Sequence, residues 1–291
     1  MTETNQSPND IELGRAIRNY CEQKFIPLDY FQEIINDAKV IPMLRGKGVE
    51  YASKRAIEAV LNQHSSGIWL VEKKSLNPQP NAPDEDITIK HVNYPTISII
   101  VEAKSGALHT FVTGERTRKE RNKQQPHFLV KCHRSRVNYT LATDLAGKTV
   151  VEDIEQESLG LKQPDKDKRR KTSGYGDRYT VNDFDLVVAN PLNSIYMDVK
   201  YTQLNPSPKL MQILYAHYNV SSGQELLSSL NNDWRFVESR DIVDNSGYIE
   251  PYPGVWLIND PHWKSLQKLP EVLNEILARK ISNMQGKATN P

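Results

Sequence analysis

The sequence predicts an α/β fold in which a mixed central sheet is flanked by helices. The stretches at 83–90 and 97–104 predict two adjacent strands, and residues 183–189 and 194–200 repeat that arrangement. Apolar residues at helical spacing between 49 and 61 predict a long helix just before the first strands. Because no linker composition divides the chain, we expect one domain at 11–291, with insertions, after a disordered tail at 1–10.

The remaining elements follow from turn residues and periodicity. Proline and glycine between 41 and 48 predict a break before the helix at 49–63. Further helices are predicted at 11–39 (with a second start at Pro27), 210–218, 224–230 and 263–283. Further strands are predicted at 68–73, 127–134 and 255–258, and a charged loop at 160–178.

Composition excludes several classes of protein. Hydrophobic residues make up 38% of the chain and the mean hydropathy is −0.61, so the protein is polar but able to bury a core. No apolar run is long enough to span a membrane, and the first ten residues lack a signal-peptide pattern. Only Cys21 and Cys132 are present, which excludes a disulfide framework and a cysteine-rich zinc site. We therefore expect an intracellular, cytoplasmic protein with no membrane partner.

Basic residues are unevenly distributed along a chain whose net charge is only +1. Eight basic residues face a single acid between Arg116 and Arg136, and a second basic run lies between Lys162 and Arg178. Local basic segments in a near-neutral chain favour a polyanionic partner bound on one face. The Gly174-Tyr175-Gly176 segment lacks the ending of a phosphate-binding loop, so no nucleotide cofactor is expected.

The first strand pair carries a pattern of acids and a lysine. Asp84 and Asp86 lie at the start of one strand, and the next strand ends in Glu102-Ala-Lys104. Alternation places Glu102 and Lys104 on one face, where either aspartate of the paired strand can approach them. Two carboxylates and an ammonium at one place suit a hard divalent cation and an activated water.

This pattern resembles the PD-(D/E)xK nuclease superfamily, and within it type II restriction endonucleases. Pro83-Asp84 matches the first half of the motif and Glu102-Ala103-Lys104 the second, over roughly residues 45–104. Members share a helix followed by three strands, often with an additional glutamate on the helix, and Glu50 fits that position. The resemblance implies a restriction-endonuclease-like core at about 42–140 and DNA-contacting insertions at about 113–178. It also implies that helices and strands at 201–291 complete the domain.

The resemblance also implies the roles of the site residues. Asp84 and Glu102 would hold Mg²⁺, with Asp86 as the alternative to Asp84, because alternation places both aspartates on one face. Lys104 would orient or deprotonate the attacking water and offset charge on the phosphate. Glu50 would bind a second metal or fix a water.

The second strand pair offers an alternative catalytic set. Asp183 and Asp185 open its first strand, and Asp198-Val-Lys200 closes its second. It has asparagine where the family has proline, and it lacks a glutamate-bearing helix just upstream. The first pair is therefore favoured, and Asp183 or Asp185 is then expected to form structural hydrogen bonds.

The expected activity is Mg²⁺-dependent hydrolysis of phosphodiester bonds in double-stranded DNA at a short specific site, by a homodimer. Two sites about a two-fold axis suit a symmetric target. A repair or recombination nuclease of the same superfamily, a non-catalytic DNA-binding protein and an α/β enzyme unrelated to DNA stay open as alternatives. The candidate DNA contacts are Arg116, Arg118, Lys119, Lys131, His133, Arg134, Ser135 and Arg136.

Overall fold

The elements of the fold are taken from a computed structural model, which describes residues 8–73, 86–111, 126–132, 179–245 and 247–288. The helices in these ranges are α1 (Pro8–Gln23), α2 (Phe31–Ile35), α3 (Val40–Ser65), α4 (Pro208–Tyr218), α5 (Gly223–Asn232) and α6 (Leu269–Ala288). The strands are β1 (Trp69–Glu72), β2 (Ile87–His91), β3 (Tyr94–Ser105), β4 (His127–Leu129), β5 (Leu186–Asn190), β6 (Arg235–Glu238), β7 (Gly254–Trp256) and β8 (Lys264–Ser265).

Within the described ranges, the central sheet has six strands in the order β1-β2-β3-β5-β6-β8. The β3 and β5 strands run parallel, whereas the other neighbouring pairs are antiparallel. Strands β4 and β7 form a separate antiparallel pair, tied to the end of β3 by a bridge between Gly106 and Val130. The predicted mixed α/β class, with a mixed sheet flanked by helices, is therefore confirmed.

Each face of the sheet buries its own hydrophobic cluster. On one face, Ile99, Val101 and Leu186 pack with residues of α3 and α6. On the other, Ile100 and Val187 pack with residues of α4, α5, β4 and β7. Strand β5 is buried along its whole length because alternate residues serve the two clusters. Strand β3 also alternates, but on the second face its apolar side chains give way to Glu102 and Lys104.

Helix α3 runs through the segment predicted to be a break at 41–48, so that prediction is wrong. Pro42 is tolerated because it lies in the first turn, where backbone N–H groups have no partner within the helix. Beyond it, Arg45 anchors the helix to the body of the protein. Its Nε donates to Asn193 Oδ1 at 3.0 Å, and its guanidinium carbon lies 3.7 Å from the ring centroid of Tyr201. These contacts offset the low helix propensity of Gly46 and Gly48.

The prediction of a strand at 194–200 is also wrong. Residues Leu192–Ile195 form a 3-10 turn, and β5 pairs instead with β3 and β6. The carboxylate of Asp198 accepts hydrogen bonds from the backbone nitrogens of Lys200, Thr202 and Gln203 at 3.1, 2.9 and 2.7 Å. Aspartate that satisfies nearby backbone groups in this way competes with strand pairing and favours a turn.

The predicted N-terminal tail is shorter than expected, because α1 begins at Pro8 rather than after residue 10. Proline is favoured at a helix start, where its missing N–H costs nothing. Residues 1–7 lie outside the described ranges. Across those ranges, no helix is both long and apolar enough to cross a membrane.

The join between β3 and the β4–β7 pair depends on the lack of a side chain at Gly106. A Cβ atom at this position would lie 2.8 Å from Ser194 Cβ and 3.0 Å from Phe128 Cδ2. We expect Gly106→Ala to lower the free energy of unfolding by about 1–3 kcal/mol, since neither neighbour can move without disturbing the second cluster. The control is Gly14→Ala on α1, where the added Cβ meets nothing within 4 Å. Chemical denaturation of both variants would measure the difference, and equal stability would contradict this account.

Candidate active site

The pairing of β2 with β3 brings Asp86 beside Glu102. Ile87 is opposite Val101 in the antiparallel register, so Asp86, one residue earlier, is level with Glu102 and Ala103. Asp86 Oδ2 accepts a hydrogen bond from the Ala103 nitrogen at 2.9 Å. Both carboxylates are buried, with 8% of Asp86 and 6% of Glu102 exposed. Of the two aspartates left open by the sequence, Asp86 lies at the predicted place, and Asp84 lies outside the described residues.

Glu102 is held by two donors that reach the same oxygen. Lys104 Nζ forms an ion pair with Glu102 Oε1, which confirms that these side chains share a face. The Tyr179 hydroxyl donates to the same oxygen at 3.0 Å, and its ring centroid lies 5.7 Å from Lys104 Nζ. Among the described residues, Glu102 Oε2 and Asp86 Oδ1 accept no hydrogen bond. Within the described part of the chain, one oxygen of each acid therefore has no hydrogen-bond donor.

Burial and charge shift the pKa values of the cluster. Burial raises the pKa of Asp86 to about 7, and the Glu102 carboxylate adds to the shift while Lys104 opposes it. Burial acts to lower the pKa of Lys104, but Glu102, Tyr179 and Asp86 together outweigh burial and hold that pKa above its usual range. Burial also raises the pKa of Tyr179. At neutral pH Lys104 is therefore protonated, and Asp86 holds its proton more readily than an exposed aspartate does.

Glu50 reaches the same region from α3. Its carboxylate forms ion pairs with Lys73, which follows β1, and with Lys47 at 2.8 Å. The side chains of Glu50 and Lys73 are each only 12% exposed. The pKa of Asp86 is raised mainly by burial, and the negative charge of Glu50 adds a smaller contribution. Lys73 comes directly after Glu72, which is opposite Thr88 of β2, so the Glu50–Lys73 pair lies beside the start of the strand that Asp86 precedes.

The donor set fits Mg²⁺ in number and kind. Across the part of the chain that the structure describes, no three His, Cys, Asp or Glu side chains converge tightly enough to hold a metal ion by themselves. Mg²⁺, however, is commonly held by one or two carboxylates, with waters and substrate phosphates as its other ligands. Asp86 Oδ1 and Glu102 Oε2 provide two such oxygens, and a cation would offset both the burial of Asp86 and the repulsion from Glu102 that raise the Asp86 pKa.

The alternative catalytic set is dispersed. Asp183 accepts from the Thr180 backbone nitrogen at 2.7 Å, and Asp185 accepts from Ile100 N and pairs with Lys280 Nζ, both at 2.8 Å. These are the structural hydrogen bonds expected of them. Asp198 closes its own turn, and Lys200 is exposed in that turn. The structure does not bring these four side chains together at one place.

Of the predicted DNA contacts, the described residues include only Lys131. Its side chain is exposed, between the buried Val130 and Cys132, beside the end of β3. The predicted strand is shorter than expected, since β4 ends at Leu129. Arg116, Arg118, Lys119, His133, Arg134, Ser135 and Arg136 lie outside the described residues.

Sequence reasoning missed Lys73 and Tyr179. Lys73 directly follows β1, the neighbour of the aspartate strand, so its position at the strand end was a usable signal. Tyr179 lies 77 residues from Glu102, and no local pattern marks it. Comparison with protein-family models, with curated proteins and with solved structures found no match to this chain.

Proposed function

We propose that the protein is a Mg²⁺-dependent endonuclease that hydrolyses phosphodiester bonds of double-stranded DNA, of the type II restriction class. The observation that carries the proposal is the convergence of Asp86, Glu102 and Lys104 on one face of the sheet. The order of α3, β1, β2 and β3, with Glu50 on the helix, agrees with the helix and three strands of the PD-(D/E)xK superfamily. Of the basic residues expected to bind DNA, the described part of the chain includes only Lys131, which follows Val130, the residue bridged to Gly106 at the end of β3.

Each residue of the site would have a separate role. Asp86 Oδ1 and Glu102 Oε2 would hold Mg²⁺, which supplies positive charge at the scissile phosphate and lowers the pKa of a bound water. Tyr179 fixes the Glu102 carboxylate by holding its other oxygen. Of the two roles predicted for Lys104, donation to a phosphate oxygen fits its raised pKa, because a lysine that stays protonated is a poor base.

The partner in this proposal is duplex DNA, bound by the basic segments at 116–136 and 162–178. A homodimer would place two sites about a two-fold axis, as cutting both strands of a symmetric sequence requires. A structure-specific nuclease of the same superfamily would use the same site. It would differ in cutting at branches or ends rather than at one sequence.

A second candidate function is DNA binding without catalysis. It is favoured by the Glu102–Lys104 ion pair, which gives each of these side chains an opposite charge without any metal. In that case the acids and lysines would stabilise the end of the sheet, and the basic segments alone would carry the function. Such a protein would bind DNA and leave it intact.

Incubation of plasmid DNA with the purified protein tests the proposal. We expect discrete fragments when Mg²⁺ is present and intact plasmid when a chelator replaces it. A smear would support a nuclease without sequence specificity. Retarded but uncut plasmid, in the presence of Mg²⁺, would favour the second candidate and contradict the first.

A further inference from the structure

A cleft of about 580 Å³ lies between one face of α3 and the segment that joins α5 to β6. Asn190, the last residue of β5, donates to the backbone carbonyls of Leu230 and Asn231. Asn190 is also opposite Ser105, the last residue of β3. The cleft therefore lies at the end of the sheet where β3 and β5 finish. None of the acids of the candidate active site is among its described lining residues.

One wall of the cleft is formed by a single face of α3. Gly48, Tyr51 and Arg55 follow one another at intervals of three and four residues, so they lie along the same side of the helix. Tyr51 and Arg55 are both exposed. A Cβ atom at Gly48 would meet nothing within 4 Å, and glycine is unfavourable in the interior of a helix. Packing among the described residues therefore gives no reason for this glycine, whose absent side chain leaves the cleft wider.

The unbalanced charge in the cleft is positive. Among the described residues that line it, Arg55 is the one base and Asp233 the one acid. The Asp233 carboxylate is already engaged, since it accepts from Arg235 Nε at 3.0 Å and from the Tyr218 hydroxyl at 2.6 Å. Within the described part of the chain, no carboxylate forms an ion pair with the guanidinium group of Arg55. The cleft therefore favours an anionic ligand.

We propose that this cleft binds one nucleotide, with its phosphate on Arg55 and its base against Tyr51 and Trp234. Arginine presents several N–H donors to phosphate oxygens, and aromatic rings stack on any base. The side-chain amides of Asn231 and Gln267 also line the cleft, and they match the polar edges of a base. The volume lies within the range of about 300–1,000 Å³ that is typical of small-molecule sites. The proposal goes beyond the nuclease function, because it needs neither the buried acids nor a metal.

Calorimetric titration of the full chain with deoxyadenosine monophosphate, in the presence of a chelator, tests this site without a metal or a reaction. We expect saturable binding in the micromolar range. Deoxyadenosine and inorganic phosphate should each bind much more weakly, because each makes only half of the contacts. Arg55→Gln and Tyr51→Ala should each weaken the binding of the nucleotide roughly tenfold. Binding that does not saturate at millimolar nucleotide would overturn the proposal.

Two further variants separate a filled cleft from a damaged fold. Gly48→Leu places a side chain in the cleft and should abolish nucleotide binding. It should melt at or above the wild-type temperature, because leucine favours a helix more than glycine does. Arg18→Gln removes an exposed arginine of α1 and should leave the affinity for the nucleotide unchanged. Wild-type affinity in Arg55→Gln, or in Gly48→Leu, would contradict the proposed site.

Competition by a single-stranded oligonucleotide with a terminal phosphate identifies the source of the nucleotide. Displacement of deoxyadenosine monophosphate shows that the cleft accepts the end of a strand, whereas a lack of displacement shows that it accepts the free nucleotide; either result supports the site. A protein that binds the nucleotide but leaves plasmid intact would contradict the nuclease function alone. A protein that cuts plasmid but does not bind the nucleotide would contradict the cleft proposal alone.

Discussion

Replacement of Lys104 by alanine is expected to lower the rate of plasmid cleavage by about a hundredfold to a thousandfold or more. The raised pKa keeps this lysine protonated, and its ammonium group lies at the buried acids that would hold the metal. A preorganised ammonium group in a water-poor site stabilises the charge that develops on a phosphate far more than an ammonium group exposed to water does. The measurement is the rate of loss of supercoiled plasmid at saturating Mg²⁺.

Lys200→Ala is the matched control for this variant. Lys200 ends the same kind of acid-x-lysine tripeptide but is exposed in the turn closed by Asp198. We expect its loss to leave the cleavage rate within about twofold of the wild type, as is usual for an exposed side chain without buried partners. Loss of cleavage in Lys200→Ala, with normal cleavage by Lys104→Ala, would place the active site elsewhere.

Replacement of Asp86 by asparagine is expected to abolish cleavage and yet to stabilise the metal-free protein at pH 8. The raised pKa of about 7 means that ionised Asp86 destabilises the fold, mainly through its burial. At about 1.36 kcal/mol per pKa unit, the gain is on the order of 2–4 kcal/mol, the upper figure being a limit because neighbouring groups can relax. Asparagine keeps an acceptor for the Ala103 nitrogen. Thermal unfolding in a chelator measures the effect.

The dependence of this gain on pH has a definite sign. A carboxyl group with a raised pKa in the folded state gives stability that is fully present below its unfolded pKa of 3.8 and is lost as the pH rises to about 7. Asp86→Asn should therefore melt above the wild type at pH 8, with a difference that shrinks toward pH 4. Asp198→Asn is the control, because its backbone hydrogen bonds lower the pKa of Asp198. A lower melting temperature for Asp86→Asn at pH 8 would contradict the account.

The strand pair at the centre of the site could be predicted because its signals are local. Alternation of β-branched residues defined β2 and β3, and the two-residue period placed Glu102 and Lys104 on one face. The choice between Asp84 and Asp86 could not be made, since that period places both on the same face. The structure locates Asp86 through the Ala103 hydrogen bond, which depends on the register of pairing.

The errors have a common origin in tertiary contacts. The glycines of α3 predicted a break, but Arg45 reaches 148 residues along the chain to Asn193 and holds the helix in place. The Asp198 tripeptide has the composition of a strand end, yet its carboxylate satisfies its own turn. Tyr179 joins the site from a distant segment. Propensity and spacing carry no information about such partners.

The most direct test is to locate the cation. Crystals of the protein with a DNA duplex, grown in Mn²⁺, should give an anomalous difference peak within about 2.5 Å of an oxygen of Asp86 and an oxygen of Glu102. Lys104 should then lie on a phosphate oxygen rather than on Glu102. A peak at another group of acids, or an intact Glu102–Lys104 ion pair beside bound DNA without a metal, would contradict the account.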